Sequence, residues 1–216
     1  MERKELPDSN LDEQVSEAHN CGNNNKKSSD SVYRNILLYL HDLVYLLCAI
    51  LLVFLLCFRI VIVSGSSMKN TLVDGDYLLL LSNVFYSDPQ PGDIIVASKD
   101  SFDNGAPIVK RVIAVEGQEV DIDFATGSVY VDGEMITENY ISSPTSSGEG
   151  VQFPLTVEEG CLFVMGDNRA WSRDSRYADI GQIDCREVLG KALFLFLPGT
   201  DKGNMIRDFS RIGGLS

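Results

Sequence analysis

Residues 36–58 read ILLYLHDLVYLLCAILLVFLLCF, and a run so uniformly apolar has few places to go. As a helix, its 23 residues span about 34 Å, close to the hydrocarbon thickness of a bilayer. It has no polar face to turn toward water, which argues against the core helix of a soluble domain. A cleavable leader fits poorly too. The preceding segment is too long, the apolar run exceeds a normal leader core, and no Ala-x-Ala site follows. The expectation is an uncleaved anchor over residues 36–58. His41 and Asp42 snorkel or tilt its start, and Arg59 marks its far boundary. Lys26, Lys27 and Arg34 precede the span and Arg59 and Lys69 follow it. That excess of basic residues on the N-terminal side predicts a single-pass protein of the cell membrane, with its N-terminus cytoplasmic and the rest outside.

The anchor divides the chain into three. Residues 1–35 are polar, with Asn23-Asn24-Asn25 and Ser28-Ser29, and read as a disordered tail. Residues 59–216 carry the fold. Short β-rich runs occupy 77–81, 93–97, 108–115, 120–122, 128–131, 161–165 and 191–197. They are punctuated by Asp74-Gly75-Asp76, Pro91-Gly92-Asp93, Thr126-Gly127 and Asp132-Gly133. This spacing predicts a mainly β domain, an antiparallel barrel or sandwich. Residues 142–150, SSPTSSGEG, read as a mobile loop.

Composition removes several chemistries. The formal charge of −13 argues against a general grip on nucleic-acid phosphates. The two histidines are His19 and His41, so the β domain has none. A Ser–His–Asp triad, a Cys–His site and a His-rich zinc site are excluded there. The 5 cysteines lack zinc-knuckle or CxxC spacing. Cys161 and Cys185 are either incidental thiols or a disulfide. No metal or cofactor is called for, and a monomer is expected.

Three segments can still carry chemistry. Ser66-Ser67-Met68 follows Gly65, and a serine at a glycine-marked turn can present its hydroxyl beside its own backbone N–H. In the apolar strand Pro107-Ile108-Val109-Lys110-Arg111-Val112-Ile113, alternation puts Lys110 on the side of Ile108 and Val112 and Arg111 on the other. One of these cations must share an apolar side. A lysine held there loses hydration, its pKa falls, and a neutral amine becomes available to deprotonate a serine. The third segment, GDNRAWSRDSR (166–176), can form an internally paired rigid loop.

Taken together, VSGSSMKNTL (63–72), PGDIIV (91–96), VKRVIAVEG (109–117), MGDNRAWSRDSR (165–176) and GKALFLFLP (190–198) resemble the bacterial type I signal peptidases. These are membrane-tethered serine proteases that remove signal peptides from exported proteins. The resemblance implies Ser67 as nucleophile, Lys110 as general base, Ser172 as a hydroxyl that orients the lysine, and Asp174 with Arg176 as a supporting ion pair. It further implies an oxyanion held by the Ser67 N–H. The substrate would be secretory preproteins, cut after small residues of Ala-x-Ala type. The extended segments Ile60-Val61-Ile62-Val63 and Pro107-Ile108-Val109 would pair with the substrate strand, close to the lipid surface.

Some positions depart from the family pattern. Asn70 and Asp184 stand where prolines are common, Ala170-Trp171 replaces a frequent Asp-Asn, and Gly65 replaces a serine that some members use as a second oxyanion donor. Two other readings compete: a self-cleaving repressor with the same dyad, and an inactive tethered interaction domain.

Overall fold

The computed structural model describes residues 11–99, 102–200 and 206–215, with side chains from Val32 onward, Asp103 excepted. It falls into two compact units, Met1–Phe54 and Leu55–Ser216. The first is built on one helix, α1 (Leu11–Cys57). Its stretch Val32–Cys57 is long and apolar enough to cross a membrane, with a mean hydropathy of 2.5 over its most apolar 18 residues. The helix differs from expectation at both ends. It takes in residues 11–35, which composition marks as disordered; residues 1–10 lie outside the described residues. Once an apolar helix is nucleated, each added residue gains a hydrogen bond at little further cost, and Glu, Gln and Lys favour the helix. At the other end, Phe58 opens a strand instead of closing the span.

The second unit is antiparallel β. Its strands are β1 (Phe58–Ile62), β2 (Tyr77–Ser82), β3 (Ile94–Ser98), β4 (Pro107–Val115), β5 (Glu119–Asp123), β6 (Ser128–Val131), β7 (Glu134–Met135), β8 (Leu155–Thr156), β9 (Cys161–Met165), β10 (Ile183–Asp184), β11 (Val188–Leu197) and β12 (Gly213–Gly214). The larger sheet runs β1-β2-β11-β3-β4-β9-β10, with β12 on β11, and the smaller runs β7-β6-β5-β8. The larger sheet ends in two edges, so the domain is not a closed barrel.

All seven expected strands form. Those not expected are β1, hidden at the end of the apolar run, and four two-residue pairings too short to show a period. Alternation sets the core. In β2, Leu78 and Leu80 are buried while Tyr77, Leu79 and Leu81 are partly open. Leu78 and Leu80 pack with Val63, Met68, Leu72, Ile94, Val96 and Leu195. A second cluster holds Ile95, Val112, Leu162 and Val188, and a third joins the small sheet through Ile113, Val120, Val129 and Phe163. β4 contributes to all three clusters, so its side chains are covered on both faces.

The loop over 142–150 is not left loose. Thr145 is fully buried and accepts from Arg169 Nη1 at 2.7 Å, and the Ser147 carbonyl accepts from Arg176 Nη1 at 2.9 Å. Two buried guanidiniums need acceptors, and this segment supplies them.

Candidate active site

The serine pair sits on a tight turn between β1 and β2. Gly65 at φ 96° and Asn70 at φ 96° bracket it, and Thr71 and Leu72 both return their N–H groups to the Met68 carbonyl, at 3.1 and 2.8 Å. Met68 and Leu72 are buried, so the turn is moored in the core while Ser66 stays exposed. Asn70 adopts a left-handed conformation that a proline cannot reach, which gives this departure a backbone consequence.

Lys110 reaches this turn from β4. It faces Ile95 across the β3–β4 ladder and lies between Ile108 and Val112 along its own strand. Only 4% of it is exposed. Nζ donates to Ser67 Oγ at 2.8 Å and to the Val109 carbonyl at 3.1 Å. Burial removes water from the ammonium and brings its pKa down to about 8, against a rise from Asp174, a further fall from Arg176 and a rise from Asp167.

Strand alternation predicted one buried cation, and the structure has two. Arg111 is 2% exposed, but it is matched: Nε and Nη2 each donate to Asp167 at 2.9 Å, and Nη1 donates to the Gly92 carbonyl. Its guanidinium also lies 4.0 Å over the Tyr140 ring. A paired guanidinium keeps its charge in the interior, whereas Lys110 has no carboxylate within ion-pair distance among the described residues.

The segment 166–176 closes the site. Asn168 donates from Nδ2 to the Ser66 carbonyl and from its backbone N–H to the Ser67 carbonyl, both at 2.9 Å. Asp167 also accepts from Thr71 Oγ1 at 2.5 Å. Gly166 is tightly enclosed: a Cβ there would overlap Ser172 and the Ser67 carbonyl. Ser172 Oγ is buried with no hydrogen-bond partner among the described residues, so the bond to Lys110 implied by the resemblance is not formed. The Val109 carbonyl takes the amine instead.

Asp174 and Arg176 are both fully buried and paired through Nε at 2.8 Å and Nη2 at 2.9 Å. Asp174 also accepts from the Gly166 N–H, and Arg176 Nη2 donates to the Arg169 and Ser172 carbonyls. Removing one member of such a pair strands the other charge in the interior. Asp174→Ala is therefore expected to lower the unfolding free energy by about 3–5 kcal/mol in denaturant titration. A loss below about 1 kcal/mol would show that the pair does not hold this loop.

Two strand edges lie open beside the turn. β1 is terminal in its sheet, and β9 pairs with β4 only from Arg111 to Val115, leaving Pro107–Val109 unpaired on that side. Ile60, Ile62 and Pro107 are exposed and Val61 and Ile108 partly so. The Val63 and Val109 side chains are buried in the core. Cys161 and Cys185 are free thiols, both pushed up in pKa by burial and by nearby carboxylates.

Two further salt links were not legible in the sequence: Arg169 with Glu138, and the part-exposed Arg211 with the buried Asp76. Their partners lie 31 and 135 residues apart, and no local pattern joins them.

Known proteins are similar to this chain in sequence. The chain is 37% identical to signal peptidase I of Bacillus licheniformis over 145 residues, covering 63% of this chain and 75% of that protein. It is 35% identical to the probable signal peptidase I-1 of Synechocystis over 150 residues, covering 66% and 73%. A crystal structure of a signal peptidase I from Enterococcus faecalis is 31% identical and covers 49% of this chain and 97% of its own, with a TM-score of 0.41. The family described as "Signal peptidase, peptidase S26" matches residues 36–197, and the chain belongs to it.

Proposed function

We propose that this chain is a membrane-anchored serine endopeptidase that cleaves signal peptides from secretory preproteins, with Ser67 as nucleophile and Lys110 as general base. The observation that carries the reading is the 2.8 Å approach of a buried lysine amine, its pKa near 8, to a turn-borne serine hydroxyl. Once neutral, the amine accepts the hydroxyl proton as Oγ attacks the scissile carbonyl. The oxyanion falls to the Ser67 N–H. Lys110, now protonated, gives its proton to the departing amine, which is the new N-terminus of the mature protein. The neutral amine then takes a proton from water, the hydroxide attacks the acyl-enzyme, and Ser67 recovers its proton from Lys110. Asp174 and Arg176 hold the loop behind these groups, and Ser172 provides a second buried hydroxyl against Gly166.

The substrate docks as an added strand between the edges of β1 and Pro107–Val109, where main-chain hydrogen bonds give affinity. Shallow apolar pockets admit alanine-sized side chains at the first and third positions before the cut and exclude larger ones by clash. The excess of basic residues before the span supports a cytoplasmic N-terminus and an external β domain, and Ser67, nine residues beyond Phe58, would then work close to the outer membrane surface.

The test is cleavage in trans. Full-length protein in detergent, mixed with a separate secretory precursor, should release a mature product whose N-terminal sequence begins after an Ala-x-Ala site. Self-cleavage alone would support a regulatory autoprotease, and no cleavage an inactive domain.

A further inference from the structure

The C-terminal segment Ile206–Leu215 lies beyond the residues matched to the family, yet it grips the same turn that carries Ser67. Arg211 donates from Nη1 to Asp76 Oδ1 at 3.0 Å, and from Nη2 to Asp76 Oδ2 at 2.6 Å and to the Thr71 carbonyl at 3.1 Å. Asp76 is fully buried and accepts also from the Val73 and Gly199 N–H groups, at 2.8 and 2.6 Å. Gly199 packs so closely on residues 74–76 that a Cβ there would overlap their backbone. Leu215 anchors the other end: its N–H donates to the Leu193 carbonyl at 2.9 Å, and its side chain packs on the cluster containing Met68 and Leu72.

We propose that this segment is a strap that keeps the Ser67 turn in register with Lys110, and that Arg211 is its positioning residue. Thr71 is the point of transmission. Arg211 holds its carbonyl, Asp167 holds its hydroxyl, and its N–H returns to the Met68 carbonyl, one residue past Ser67. Asp167 is in turn forked by Arg111, the neighbour of Lys110 on β4. The turn is thus clamped from two sides, by the strap and by the strand that bears the lysine. A planar guanidinium serves both Asp76 oxygens and the Thr71 carbonyl together. A lysine there keeps the charge opposite Asp76 but cannot reproduce the fork.

The inference rests on the Ser67–Lys110 reading, and its test separates the two. Full-length Arg211→Lys and the charge-balanced Arg211→Ala/Asp76→Asn are compared with the parent for trans cleavage, its pH profile and amide hydrogen exchange. A misplaced nucleophile should lower kcat by about tenfold or more with KM within about twofold. Water reaching Lys110 should move the acid limb upward from about pH 8, toward the ordinary lysine range. Exchange should quicken in residues 66–73 and stay unchanged in β5 and β6. Parent-like exchange in 66–73 and a parent-like acid limb in both variants would overturn the strap. Faster exchange throughout the domain would overturn it too, by assigning Arg211 to global stability. If the parent itself cleaves nothing, the peptidase reading falls, while the exchange measurement still decides the strap.

Discussion

Lys110→Ala is expected to lose about 10²–10⁴-fold in turnover with the fold intact, because no histidine or other base stands in reach of Ser67 among the described residues. Lys110→Arg should fail equally, since a guanidinium stays protonated at any working pH. On the proposed mechanism the active form is the neutral amine, so kcat/KM should rise with pH and reach half its plateau near pH 8. The linkage to stability has its own sign. Folding lowers this pKa from 10.5 to about 8, so the unfolded chain binds the proton more tightly. Burying the ammonium therefore destabilises the fold below pH 8, and that penalty is lifted as pH rises from about 8 to 10.5. Lys110→Met, which buries an apolar chain of similar length, should accordingly melt higher than the parent at pH 7 while being inactive. Near-normal cleavage by Lys110→Arg, or a flat pH profile, would rule out the dyad.

Ser67→Ala should abolish cleavage, and Ser66→Ala should lower it little. Both serines lie on the turn, and Ser67 is the one whose Oγ meets Lys110 Nζ, at 2.8 Å. Ser66 is exposed, and its contribution runs through a carbonyl that alanine also has. Single-turnover cleavage by each purified variant, with melting curves as a check on folding, decides between them. An active Ser67→Ala beside a dead Ser66→Ala would shift the nucleophile by one residue.

The longer strands were legible because their apolar runs are bounded by Asp-Gly, Pro-Gly and Thr-Gly turns. Two-residue strands such as β7 and β10 carry no period, and exist only because a longer neighbour offers an edge. In the site, Lys110 stood out as a charge inside an apolar strand. Alternation alone asks that one of Lys110 and Arg111 share an apolar side, because it describes a strand with one wet face. β4 has none, and only the distant Asp167 makes that tolerable. The same holds for the 142–150 loop: its composition reads as mobile, and it is ordered by Arg169 and Arg176, whose need for acceptors is invisible locally.

The grip of Asn168 on the Ser66 carbonyl reaches further than one hydrogen bond. A peptide unit is planar, so the carbonyl of Ser66 and the N–H of Ser67 point in opposite directions from one rigid plate. Fixing the first fixes the second. That N–H is not spent on any partner among the described residues, and it cannot swing away while Asn168 holds the far side of its plate. A dipole aimed before the reaction begins costs nothing to turn when negative charge develops on the attacked oxygen. With glycine at position 65 offering no hydroxyl, the proposed reaction would lean on the rotation of this one peptide plane to meet that charge.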